Sequence, residues 1–252
     1  MQNIKRHLPN GLLLRLCVVI DVLVPLKSLT SAKSRLAPFL SEAQREGLVV
    51  AMARDVLATL TAWPACHSIV VLQGKDWPPF LPASTKLRLV SEADFSGDEL
   101  NGLLEQGVEL LSAAQRLVLF ADLPYLTVAD LDGIAAALVS GSNVICPDRW
   151  EVGTNAIGFG NAAAPSFAFG PESLQRHRVR FAIEGVPPVP LQTQGLSRDI
   201  DSVDDVIDLL WGGSSEAVPG PATCQWLDSA RRARLLAPGE KSKWGGQGAR
   251  FL

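Results

Sequence analysis

The stretch Val24-Pro25-Leu26-Lys27-Ser28-Leu29-Thr30-Ser31-Ala32-Lys33-Ser34-Arg35-Leu36 sets two lysines and an arginine just beyond an apolar run, Leu12 to Leu26. That run is β-branched enough to be a strand buried on both faces, interrupted by Arg15 and Asp21. Ser41-Glu42-Ala43-Gln44 then has capping-box spacing and opens a helical repeat through Leu48, Val49, Met52, Val56 and Leu60. A buried strand followed by a crossover helix begins an open α/β sheet, so Lys27, Lys33 and Arg35 fall at the carboxyl edge of a strand, where such sheets bind ligands. Three fixed cations in one strand-to-helix loop suit a polyphosphate; a solvated basic loop accounts for the same residues equally well.

Downstream, strand-like and helix-like segments alternate, which predicts a mostly parallel sheet covered on both sides. Strands are expected at 67–72, 87–90, 116–120 and 143–146, and helices over 98–114, from the Thr127 cap to Gly141, and from the Ser202 cap to Leu210. Residues 156–169 read as two short apolar pieces broken by Gly, Ala and Pro, an irregular insertion over the ligand edge. After Trp211 the composition turns to Gly, Ser, Pro and charge, which predicts a loosely packed tail with one helix over 226–236. The expected organisation is a leader over 1–11, one domain over 12–212 and a C-terminal extension over 213–252.

A chain of 252 residues that is 47% hydrophobic can bury one full core. Its net charge of −3 gives no bulk attraction for nucleic acid or an anionic membrane. Cys17, Cys66, Cys146 and Cys224 lack CxxC spacing, and the first three lie in or beside apolar runs, as buried thiols in a reducing cytoplasm would. His7, His67 and His177 have no zinc-ligand spacing and read as surface or packing residues.

Two acidic features share the expected ligand edge. Leu117-Val118-Leu119-Phe120-Ala121-Asp122 is an apolar strand ending in a carboxylate, which could hold a Mg²⁺ bridging substrate phosphates or could cap a turn. Asp199-Ile200-Asp201 places two carboxylates on one side of an extended segment, as a metal pair would; either is also an ordinary helix-flanking acid. Asp148, after Pro147, fits either the metal or acceptor site or loop turn chemistry.

Taken together, Val24-Pro25-Leu26-Lys27 with Ala32-Lys33-Ser34-Arg35-Leu36, Asp122-Leu123-Pro124, Gly153-Thr154-Asn155, Phe169-Gly170-Pro171 with Ser173, and Asp199-Ile200-Asp201 resemble the CofC/FbiD family of guanylyltransferases, within the molybdenum-cofactor guanylyltransferase-like fold. The likeness spans about 18–210. It implies a single-domain α/β protein with a mostly parallel Rossmann-like sheet of the nucleotide-diphospho-sugar transferase type. It also implies GTP as donor, Mg²⁺, a phosphorylated carboxylic acid as acceptor (phosphoenolpyruvate, 2-phospholactate or 3-phosphoglycerate), pyrophosphate as leaving group, and a place in deazaflavin coenzyme F420 biosynthesis.

Carried over by residue, the resemblance gives Lys27, Lys33 and Arg35 to the triphosphate and departing pyrophosphate, and Pro25 and Asn101 to the nucleotide side. Asp122 with Asp201 would hold Mg²⁺, with Asp199 a further candidate; Thr154, Gly170 and Ser173 would hold the acceptor acid. Glu99 stands where the family often has glycine, and Ser202 where it commonly has threonine. A transferase of the same fold with another base, or with a sugar phosphate or molybdopterin acceptor, and a silent nucleotide-binding paralogue are the competing expectations. A homodimer is compatible with such a fold.

Overall fold

The computed structural model describes residues 18–79, 83–97, 99–160, 166–211 and 217–232. Strand β1 (Ile20–Leu26) is buried along its whole length and pairs in parallel with β2 (Cys66–Gln73) on one side and β4 (Gln115–Leu119) on the other. β2 in turn pairs with β3 (Leu87–Ser91). The β1–β4 pairing ends at Leu23, so Pro25, which has no N–H to give, lies where one flank of the strand has no partner. Beyond β4 the sheet continues through β6 (Thr154–Phe159), β5 (Val144–Pro147) and the two-residue β7 (Val189–Pro190), in the order β3-β2-β1-β4-β6-β5-β7.

β6 runs antiparallel to both neighbours, which corrects the expectation of an irregular insertion beginning at Ala156. It is fully buried, and its Gly158 admits α3 (Val128–Val139) closely, since a Cβ there would lie 3.3 Å from Ile134 and 3.4 Å from Leu138. The glycine that weakens the strand signal is therefore a packing requirement.

Side chains alternate across the sheet with the two-residue period of a strand. Ile20, Val22 and Val24 pack with α1 (Glu42–Ala62) and α3 on one face; Leu23 packs with α2 (Leu100–Val108) and with Leu174 and Phe181 of α4 (Ser173–Ile183) on the other. α1 carries the expected capping box at Ser41, and α3 carries one at Thr127. α2 stops well short of the expected residue 114. The N–H groups of Ser112 and Ala113 donate instead to Oδ2 of buried Asp21, each at 2.7 Å, and Oδ1 of Asp21 accepts from Ser68 Oγ at 2.7 Å. Asp21 thus ties β1 to β2 and to the turn before β4, and burial, outweighed by these hydrogen bonds, leaves its carboxyl lowered to about 2.

A third cluster joins Leu36, Leu40, Leu48, Met52, Tyr125 and Ile200 to α6 (Val203–Trp211) and α7 (Pro221–Arg232). Where composition suggests a loose tail, residues 217–232 are docked. Asp55, midway along α1, accepts from the Ala222 and Thr223 N–H groups at 2.8 Å each and so caps α7, while Leu227 and Ala230 are buried. Residues 1–17, with the expected leader, Arg15, Cys17 and His7, and residues 233–252 lie outside the described residues. No helix among the described residues is long and apolar enough to cross a membrane.

Candidate functional site

The basic loop after β1 and the two acidic segments meet at one edge of the sheet. Asp122 lies three residues past β4, and Asp199 and Asp201 lie between α5 (Gln194–Ser197) and α6. Ile200 is buried and donates its N–H to the Asp122 carbonyl at 3.2 Å, which turns residues 199 and 201 to the other side of an extended stretch. Asp122, Asp199 and Asp201 each bring a carboxylate oxygen within 4.8 Å of the others.

Lys33 adopts the left-handed conformation (φ 52°) at the start of a short 3-10 turn, Ser34–Leu36, and its Nζ donates to Asp122 Oδ2 at 2.5 Å and to Asp201 Oδ1. Burial opposes the charge on this ammonium, but the attraction of the two carboxylates outweighs it and holds its pKa above the ordinary lysine value. On Asp201, burial is likewise outweighed by Lys33, then by Arg35 and Lys27, and the carboxyl is held low. Asp199 receives less relief: burial and repulsion from Asp122 and Asp201 push it up to about 7 against the Asn155 amide, which donates to its Oδ1 at 3.1 Å. Asp122 Oδ1 is buried and accepts no hydrogen bond among the described residues. A buried carboxylate oxygen without a donor, beside two more carboxylates, has the donor chemistry of a hard divalent cation site.

Lys27 and Arg35 stay exposed at this edge. The Lys27 carbonyl accepts from Trp77 Nε1 at 2.7 Å. Gly74, at the end of β2, lets the Lys27–Ser28 backbone pass so closely that a Cβ there would lie 2.5 Å from the Ser28 nitrogen. Pro25 is buried within β1, below the edge.

On the other side of Asp122, the reversal of β6 brings its first residues to the same edge. Thr154 is buried, and the neighbouring Asn155 donates to Asp199 and to the Leu196 carbonyl. Gly170 has φ 123°, and Ser173 is the buried first residue of α4, whose N-cap Glu172 supplies no side-chain cap. Phe120, just past β4, meets the Phe169 ring edge-on at 5.0 Å, which sets the 167–170 loop beside the strand that leads to Asp122. Asn101 ties α2 to the 167–170 loop: its Nδ2 donates to the Phe169 carbonyl at 3.1 Å and its Oδ1 accepts from the Phe169 N–H at 2.7 Å. Asp148 does turn chemistry, accepting from the N–H groups of Trp150, Val152 and Gly153.

The family model described as "Guanylyl transferase CofC like" matches residues 20–218. The chain belongs to that family. Phosphoenolpyruvate guanylyltransferase of Sphaerobacter thermophilus is 32% identical over 189 residues, covering 74% of this chain and 90% of the relative. The protein of the same name from Mycolicibacterium gilvum is 32% identical over 216 residues, covering 84% and 96%. A putative nucleotide-diphospho-sugar transferase from Desulfovibrio desulfuricans G20 superposes with a TM-score of 0.67 at 16% identity over 86% of this chain and 96% of its own, which shows a shared fold. This member of the CofC-like guanylyltransferases is accordingly a nucleotidyltransferase with a single α/β domain.

Three residues at the site carry no sequence signal for what they do. Asn155 is visible in the Gly153-Thr154-Asn155 motif, but its bond to Asp199 spans 44 positions. Arg149 donates to Asp208 Oδ2 at 2.7 Å and pairs with Asp205, which anchors the loop before Thr154 onto α6. His177 is fully buried in a helix whose arginines hide its inward face from a periodicity reading.

Proposed function

We propose that this guanylyltransferase is Mg²⁺-dependent and moves GMP from GTP to a small phosphorylated carboxylic acid (phosphoenolpyruvate, 2-phospho-L-lactate or 3-phosphoglycerate), releasing pyrophosphate, within deazaflavin coenzyme F420 biosynthesis in the cytoplasm. The observation that carries this reading is the gathering of Asp122, Asp199 and Asp201 around Lys33 with Asp122 Oδ1 lacking a donor. The names of the curated relatives favour phosphoenolpyruvate among the acceptors.

An oxygen of the acceptor's phosphate attacks the α-phosphorus of GTP, the bond from that phosphorus to the bridging β-phosphate oxygen breaks, and pyrophosphate leaves with the electron pair. The nucleophile is already anionic, so positioning and charge neutralisation suffice and no strong protein base is needed. Lys27 and Arg35, the exposed cations of the loop, hold the triphosphate and the departing pyrophosphate. Lys33 spans Asp122 and Asp201 and keeps their charge compact beside the phosphates. Asp122 and Asp201 would hold Mg²⁺, with Asp199 completing the set; a bound Mg²⁺ would supply neutralisation of phosphate oxygens. Thr154, the Gly170 backbone and Ser173 hold the acceptor's acid groups without adding net charge, at a helix N-terminus, which favours anions.

The test is pyrophosphate release with Mg²⁺, crossing GTP, CTP and ATP against the three acids, with the nucleotide–acid product weighed by mass spectrometry. Release that needs GTP and one acid, and that falls by about 10²-fold or more in Asp122→Asn, is the expected result. Unchanged turnover in that variant would remove the metal assignment, and no release from any pairing by folded protein would overturn the reading.

A further inference from the structure

The buried imidazole of His177 connects the two halves of the proposed acceptor site. Its Nε2 accepts the Ala168 N–H at 2.8 Å, so in the neutral ring the proton is on Nδ1. That edge faces Thr154 Oγ1 at 3.2 Å. Phe169 packs edge-on against the ring at 4.6 Å, and Asn101 grips the Phe169 backbone on both sides. His177 has no solvent exposure, and burial, with Arg180 and Arg176 nearby, lowers its pKa to about 4, so it stays neutral at physiological pH.

A threonine hydroxyl has one proton to give. With the imidazole N–H occupying a lone pair of Thr154 Oγ1, that proton is turned away from His177 and is free for an anionic oxygen. We infer that His177 is a positioning residue for the acceptor: through Nδ1–H it holds the Thr154 hydroxyl as a hydrogen-bond donor to the phosphorylated acid, and through Nε2 it fixes the backbone that leads to Gly170. The inference rests on the proposed acceptor role of Thr154.

Two substitutions separate the two edges of the ring. In His177→Asn the amide nitrogen takes the place of Nδ1 and keeps the bond to Thr154. In His177→Gln the amide oxygen reaches the place of Nε2 and keeps only the bond to Ala168. His177→Gln is expected to raise the KM for the acid about tenfold, the worth of one hydrogen bond, with the KM for GTP held within about twofold; His177→Asn is expected to restore most of that loss. In a Thr154→Val background, His177→Gln is expected to add nothing further. Equal rises in both KM values, rescue by Gln and not by Asn, or additive losses in the double variant would overturn the assignment. If His177→Asn fails to fold, the cycle with Thr154→Val decides alone.

Should the unaltered chain transfer no guanylyl group, the functional reading falls, and ring-nitrogen NMR still judges His177. A pyrrole-type Nδ1 that shifts in Thr154→Val, with a pyridine-type Nε2 that does not, supports the arrangement; the opposite tautomer refutes it.

Discussion

Gly74→Ala tests whether the backbone after β1 must lie where it does for catalysis. The new Cβ would sit 2.5 Å from the Ser28 nitrogen and 2.8 Å from the Lys27 carbonyl carbon, both backbone atoms that cannot swing aside as a side chain would. Ordinary contact needs about 3.4 Å, so β2 and the Lys27 loop must separate by roughly 1 Å. Overpacking of this kind costs on the order of 1–3 kcal/mol of stability, which for a domain of this size lowers Tm by several degrees and leaves the protein folded at 25 °C. The larger effect falls on the reaction, since a misplacement of about 1 Å in a positioning element can cost about 10²-fold in rate, or roughly 2.7 kcal/mol of barrier. Because Lys27 is assigned to the triphosphate, the loss is expected in kcat/KM for GTP, with the KM for the acid little changed. Steady-state kinetics at 25 °C, with circular dichroism confirming the fold, is the assay. A variant that stays folded with kcat/KM for GTP within about twofold of the parent would refute the reasoning.

Asp21→Asn should place an amide N–H₂ or lose an acceptor opposite two buried backbone N–H groups, and urea denaturation at pH 7 is expected to show a loss of about 2–4 kcal/mol. The Asp21 carboxyl is lower in the folded chain, about 2 against an ordinary 3.8, so its contribution of about 2 kcal/mol is present above pH 4 and disappears as pH falls toward 2. The stability gap between parent and variant should narrow over that window, and a gap that stays constant would contradict it. Asp55→Ala removes the cap from α7; hydrogen exchange over 221–232 is expected to quicken, with a loss of about 1–2 kcal/mol and no change in kcat. Asp148→Ala frees three backbone N–H groups in the loop that leads to Thr154, and the KM for the acid should rise roughly tenfold while the KM for GTP holds.

The parallel half of the molecule was readable from the chain because its signals are local. Capping boxes at Ser41 and Thr127 mark helix starts, and the largely apolar run into Leu26 marks a strand with neighbours on both sides. β6 was not readable, because its Gly158 and its Asn155 answer to partners elsewhere in the chain, in α3 and at Asp199. α4 was hidden for the opposite reason: its polar residues dominate the helix, and Ser173, Leu174, His177 and Phe181 face inward. Asp21 looked like an interruption in a buried strand, and its five hydrogen-bond contacts explain how a charge is tolerated there. At the site, the extended Asp199-Ile200-Asp201 pattern anticipated that both carboxylates share a side. Nothing local could show that Lys33 would turn onto two of the acids, or that Asn101 would bond the Phe169 backbone.

The reach of Lys33 has a bearing on synthesis. Its contact with Asp122 closes 89 positions of chain and its contact with Asp201 closes 168, so the last acid of the cluster leaves the ribosome 79 residues after Asp122. At ordinary elongation rates that interval is about 4–16 s. During it, a nascent chain already holding β1 to β4 carries the basic loop and one carboxylate but lacks the two that complete the acidic cluster. On the site proposed above, an incomplete copy lacks the acids the reaction needs, and guanylyl transfer becomes a readout of chains finished through α6.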